Sequence, residues 1–172
     1  VDAVTYVLAF TGQKGSLVLV GCDTRFLADR FAADAARQFG AAGFRVKVAS
    51  RPIPTPVLAF EIRRQKAAGA VNFTASHNPP QYLGIKFSTG DGAPALPELT
   101  KRIEEHVARI SGLPAPKAAP IGSFDPAPPY LEDLARKVRS KDVERGRPHF
   151  SLDFRYGTSV GFLDAFLEGA GA

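Results

Sequence analysis

The residues best suited to chemistry lie between Gly69 and Phe87. They are the hydroxyl of Ser76, the imidazole of His77, the amide of Asn78 and, ten residues after the serine, the amine of Lys86. Ala70 to Phe73 reads as a short strand, Thr74 to Gly84 as a polar loop broken by Pro79-Pro80 and glycine, and Ile85 to Phe87 as a returning strand. Loops at the C-terminal ends of strands in an α/β sheet are where ligands usually bind. Ser76 is a candidate nucleophile. An acyl-transfer serine would need a Gly-x-Ser-x-Gly elbow or a distal Asp–His pair, and neither is seen around it. A serine that carries a phosphoryl group needs donors, cations and a metal around the phosphate more than a strong base. His77, Asn78 and Lys86 suit that task, Lys86 as an amine that could shuttle a proton. Ser76-His77-Asn78-Pro79 also reads as a plain polar turn, with Asn78 held extended by Pro79, and Lys86 as a solvent-facing strand lysine. Spacing alone leaves both readings open.

The elements around this loop alternate. Val1 to Phe10 has the apolar density of a helix. Ser16 to Gly21 is a short buried strand bounded by glycines. Leu27, Phe31, Ala35 and Phe39 recur every four residues and predict an amphipathic helix stopped by Gly40 and Gly43. Phe44 to Ala49 alternates as a second strand. The prolines of Arg51 to Pro56 make a stiff crossover into a helix from Val57 to Ala68, and Gly69 to Phe73 is the third strand. Strand–helix repeats of this length imply parallel pairing with right-handed crossovers. The return at Ile85 to Ser88 is too close for a crossover, so it is expected antiparallel or at an edge. After the turn at Gly90 to Ala95, a helix is expected from Pro97 to Ile110.

The fold expected is therefore α/β: a three-layer α/β/α domain with a mixed, mostly parallel sheet over residues 1–111. Residues 112–129 are rich in proline and read as a connector, either a linker or a wrap around the first domain. Residues 130–172 are expected to begin a second, similar domain, with a helix from Tyr130, a basic loop at Arg145 to Arg147, a strand at Phe150 to Phe154 and a helix from Val160 to Glu168.

Composition narrows the classes. The chain has 172 residues, 45% hydrophobic and 23% charged, as in ordinary globular proteins. No apolar run is long enough to span a bilayer. A single cysteine, Cys22, excludes an internal disulfide and fits a reducing cytoplasm. The charge of +5 could suit an anionic partner. The basic residues are dispersed without aromatic interleaving, and no zinc spacing occurs, so no nucleic acid is expected. The absence of methionine, including at position 1, suggests a start elsewhere.

Thr74-Ala75-Ser76-His77-Asn78-Pro79 followed by Gly84-Ile85-Lys86 resembles the active-site signature of the α-D-phosphohexomutases. The resemblance continues in Val18-Leu19-Val20-Gly21-Cys22-Asp23-Thr24-Arg25 and in Pro54-Thr55-Pro56, and covers about residues 17 to 135. It implies that Ser76 is phosphorylated and exchanges its phosphoryl group with a hexose phosphate through a bisphosphorylated sugar, which also serves as activator. It implies catalytic roles for Ser76, His77 and Lys86 and a substrate contact for Asn78. Arg25 matches the family's Asp-x-Arg, as a substrate contact, as a helix-start packing residue or as an ion-pair partner of Asp23. Ser76 would supply one Mg2+ ligand through its phosphate. The aspartate-rich loop that supplies the rest is not found here, nor is Gly-Ile-Arg-Gly. The family has four domains, so the partners implied are a phosphorylated hexose and downstream domains, and this chain alone is expected to be nearly inactive. Pro79-Pro80-Gln81-Tyr82 looks more like the glucose and mannose branch than the amino-sugar one. Cys22 stands where arginine is common and Leu83 where asparagine is frequent. The alternative is a non-enzymatic basic α/β module that binds anions or nucleic acid.

Overall fold

The computed structural model describes residues 15–109, 119–146 and 148–171. The expected helix at Val1 to Phe10 and the end of the one expected to reach Ile110 lie outside them. Five strands form one sheet: β1 (Leu17–Cys22), β2 (Arg45–Ala49), β3 (Gly69–Phe73), β4 (Ile85–Thr89) and β5 (Ile121–Phe124), in the order β4-β3-β1-β2-β5. All neighbours are parallel except β3 and β4. β1 is central and covered on both faces, which is why Leu17-Val18-Leu19-Val20 is an unbroken apolar run.

The helices are α1 (Ala28–Ala41), α2 (Thr55–Gln65), α3 (Pro97–Val107), α4 (Ala127–Lys137), α5 (Ser140–Gly146) and α6 (Leu163–Gly169). On one face α1 packs on Val18, Val20, Val46, Val71 and Phe73, with Ile103 of α3 at the margin. On the other, Val57, Leu58 and Ile62 of α2 and Ala127 of α4 cover Leu17, Leu19, Ala70 and Phe124. This is the three-layer α/β/α arrangement with a mixed, mostly parallel sheet.

Several expectations need correction. The buried stripe of α1 is Ala28, Ala32, Ala35, Ala36 and Phe39, so alanines bring the helix close to the sheet. Leu27 stands outside it at φ 63, and Phe31 is 48% exposed while stacking on Phe73 at 6.2 Å. Helix α2 starts two residues early, Pro56 fitting its first turn, and ends where Lys66 turns left-handed at φ 52. The proline-rich stretch holds β5, whose hydrogen bonds to β2 need no apolar alternation, and its last prolines lie in the first turn of α4. Tyr130 of α4 meets Phe60 of α2 edge-on at 5.5 Å. Of the basic loop expected at Arg145 to Arg147, Arg145 and Gly146 belong to α5, and Arg147 lies outside the described residues. No strand forms at Phe150 to Phe154: the segment has no partner among the described residues, and an unpaired strand leaves its backbone groups unsatisfied. The helix expected from Val160 begins at Leu163.

The order β2-β1-β3 puts the reversal of the chain's path between β1 and β3. That is where ligand crevices open in such sheets. Register aligns Cys22 with Phe73, so the loops leaving both strands emerge side by side.

Candidate phosphoryl-transfer site

The loop after β3 is built by its own short bonds. The Thr74 amide donates to Gly84 O (3.0 Å), which closes the loop at its base. Buried Thr74 then uses its Oγ1 to accept the Ser76 N–H at 3.1 Å. The Asn78 amide donates to Ala75 O (3.0 Å) and that of Tyr82 to Pro79 O (3.1 Å). Ser76 is left-handed at φ 57, a conformation that a residue with a Cβ takes only when its surroundings impose it. Its Oγ lies 3.3 Å from Nδ1 of His77, a long contact whose direction depends on the imidazole tautomer.

The surroundings that impose it come largely from one side chain. Arg25 bonds Asp23 Oδ2 through Nε (2.9 Å), Pro79 O and Tyr82 O through Nη1 (2.7 and 2.9 Å), and Ser76 O and Asn78 O through Nη2 (3.0 and 2.8 Å). A guanidinium has five N–H donors, and these bonds use all of them. Asp23 completes the unit by accepting the Arg25 N–H on Oδ1 at 3.1 Å. Every N–H of the Arg25 guanidinium is thus engaged within the chain, and the ion pair with Asp23, one of the roles expected for it, is formed.

Ser76 lies between two hollows. The larger, about 730 Å3, is lined by Ser76, His77 and Asn78, by Asp23 and Thr55, and by Asn72. Its far wall is Arg155-Tyr156-Gly157-Thr158, with Arg155 and Tyr156 both at positive φ. The smaller, about 330 Å3, holds Ser76 and Asn78 together with Lys86. Ser76 and Asn78 are thus shared, while Lys86 approaches from the β4 side, paired in register with Asn72. The five residues singled out from the sequence come to one loop, His77 and Lys86 on its opposite sides.

Sequence reasoning missed Asn72 and the Arg155 to Thr158 wall. Asn72 is 3% exposed, and its Oδ1 is buried with no hydrogen-bond partner. A polar residue inside the run Ala70-Val71-Asn72-Phe73 was the available signal. Gly21 makes room for it, since a Cβ there would lie 2.5 Å from Ile53 Cγ2 and 3.2 Å from Asn72 Oδ1. Cys22 is not a nucleophile in waiting. Burial, then the charges of Asp29 and Asp23, push its thiol up to about 11.

For a metal the fit is incomplete. Asp23 is the one carboxylate lining the larger hollow, and Arg25 holds it. Among the described residues no three His, Cys, Asp or Glu side chains converge to hold an ion. No helix of the described residues is long and apolar enough to cross a membrane.

The α/β sheet, with a polar loop after β3 at its switch point, is of the doubly wound class. The family model described as "Phosphoglucomutase/phosphomannomutase, alpha/beta/alpha domain I" matches residues 1–113, and the chain belongs to that family. It is 42% identical over 112 residues to a phosphoglucosamine mutase of Alkalilimnicola ehrlichii, covering 65% of this chain and 24% of that protein. It is 35% identical over 168 residues to a phosphoglucosamine mutase of Thermoanaerobacter pseudethanolicus, covering 97% and 37%. A phosphoglucomutase of Komagataeibacter xylinus is 29% identical over 176 residues, with 91% and 32% covered. A Thermus thermophilus structure described as a phosphomannomutase superposes with a TM-score of 0.82 at 37% identity, covering 99% of this chain and 38% of that one. The chain thus spans between 24% and 37% of the length of these curated relatives.

Proposed function

We propose that this chain is the phosphoserine-bearing part of a mutase that interconverts hexose 1-phosphate and hexose 6-phosphate. The observation that carries the reading is Ser76, held left-handed at the tip of a braced loop with hollows on both sides. In the first half-reaction the P–Oγ bond of phospho-Ser76 breaks and a bond forms between phosphorus and a sugar hydroxyl oxygen. The hydroxyl's proton passes to a base, for which the Lys86 amine is suited. In the second the bisphosphorylated sugar returns its other phosphoryl group: a sugar O–P bond breaks, the P–Oγ bond forms again and the proton returns to the sugar oxygen. His77 and Asn78 offer donors to the phosphoryl oxygens. Mg2+ would neutralise charge on the transferring group, with the Ser76 phosphate as one ligand and carboxylates from beyond these residues.

The sugar is read as a hexose phosphate. The relatives carry both glucosamine and glucose names, so the leaning towards glucose or mannose rests on Pro79 to Tyr82 alone. We place the end of the first domain after Lys137, since β5 and α4 complete its sheet and second helical layer. The partners are the hexose phosphate and downstream domains that bring the metal ligands and a phosphate clamp. The test is turnover of glucose, mannose and glucosamine 1-phosphates by the full-length protein and by its Ser76→Ala variant. The variant is expected to lose turnover on all three; retained turnover sinks the reading. Residues 1–172 alone are expected to show little turnover in the same assay.

A further inference from the structure

We infer that Arg25 is a positioning residue whose guanidinium holds the Ser76 loop in its reactive shape, without touching the substrate. The inference rests on the phosphoryl-transfer reading for its kinetic part only; its structural part stands on the contacts themselves.

One guanidinium bonds four backbone carbonyls of the loop, those of Ser76, Asn78, Pro79 and Tyr82. Four carbonyl oxygens turned towards one point repel each other, and a planar cation with paired donors is the side chain that reconciles them. The cation is itself fixed: Asp23 accepts its Nε–H, and the two side chains are only 11% and 13% exposed. Asp23 is in turn anchored where its amide donates to Phe73 O at 3.0 Å, the last residue of β3 before the loop. The chain of contacts therefore runs from the end of β3 through Asp23 and Arg25 to the carbonyl of Ser76. It ties the loop after β1 to the loop after β3 across the switch point.

Two consequences separate this role from that of a substrate clamp. Paired with Asp23, Arg25 brings little net charge to the hollow, so it is a poor attractor of phosphate. Its bond to Ser76 O also fixes the serine's peptide plane, which sets the direction of Oγ. Misplacing a reacting atom by about 1 Å can slow a reaction on the order of a hundredfold with little change in binding. Lysine cannot substitute. Its three donors on one nitrogen cannot span four carbonyls and a carboxylate.

The test uses the protein at its full encoded length, as Arg25→Lys and Arg25→Ala. Hydrogen exchange is followed at the amides of Asn78 and Tyr82, with those of Leu19 and Val20 in β1 as an internal control of folding. Both variants are expected to exchange at least about tenfold faster at Asn78 and Tyr82, with the β1 amides unchanged. Turnover should fall by roughly 10- to 100-fold with KM within about twofold. Free guanidinium should restore part of the turnover to Arg25→Ala and none to Arg25→Lys, whose amine occupies the space. A merely structural role would not give that split or that rescue. Unchanged exchange at Asn78 and Tyr82 overturns the inference. So does a KM raised tenfold at constant turnover, which is the mark of direct substrate contact. Should Ser76→Ala instead keep full turnover, the phosphoryl-transfer reading fails, and the exchange result still decides whether Arg25 braces the loop.

Discussion

Replacing Asn72 with leucine is expected to stabilise the fold while harming the site. A Cβ at Gly21 would lie 3.2 Å from Asn72 Oδ1, 2.5 Å from Ile53 Cγ2 and 3.6 Å from Leu58 Cδ2, so the amide oxygen is buried near apolar side chains, and it has no hydrogen-bond partner. A buried polar atom left unpaired costs about 1–3 kcal/mol. Leucine has the same branching at Cγ, and the hollow that Asn72 lines offers space, so Asn72→Leu is expected to remove that cost. Taking about 2 kcal/mol, and about 2–4 °C per kcal/mol for a chain of this size, Tm should rise by roughly 4–8 °C. Thermal unfolding of the 172-residue chain followed by circular dichroism is the assay. In the full-length protein, replacing the polar amide in the lining of the hollow with an apolar side chain should lower kcat/KM by roughly three- to tenfold. A Tm lowered by a similar amount refutes the reasoning. It would mean that a bound water satisfies Oδ1 in solution and that Asn72 carries no unpaired group to remove.

Other outcomes follow from the same contacts. Cys22, with its thiol pushed up to about 11, should react with a disulfide reagent at pH 8 more than about a hundredfold slower than an ordinary thiol. The rate should still be climbing at pH 10, and a plateau near pH 9 would contradict the burial argument. Fully buried Glu61 accepts two bonds from Arg64 (2.9 and 2.8 Å) and one from Gln65 (2.6 Å). Arg64→Ala should therefore cost about 2–3 kcal/mol in urea unfolding, below the ~3–5 kcal/mol of a fully enclosed pair because Arg64 is 43% exposed. The double variant Glu61→Leu with Arg64→Ala should recover most of that loss.

The parts of the fold that were legible in the sequence are those written in local chemistry. β3 was bounded correctly because glycine opens it and a polar loop closes it. β4 was expected antiparallel or at an edge because eleven residues cannot make a crossover, and it is both. The stretch containing β5 was hidden: its residues Ile121, Gly122 and Ser123 are exposed, and it is a strand only because β2 offers a parallel edge. The opposite error at Phe150 to Phe154 has the same root, since apolar alternation cannot make a strand where no neighbour pairs with it. Within the site, Ser76, His77, Asn78 and Lys86 were visible as residue types at a spacing. The role of Arg25 was not, because its four carbonyl partners lie 51 to 57 residues away and carry no side-chain signature.

The central claim is that Ser76 carries the phosphoryl group. Peptide mapping by mass spectrometry of the full-length protein, as purified and after incubation with hexose 1,6-bisphosphate, tests it most directly. The account predicts one phosphate on the peptide containing Ser76, increased by the bisphosphate and discharged by a hexose monophosphate. A Ser76 peptide that stays unmodified under both conditions, in a protein that still interconverts the hexose phosphates, contradicts it.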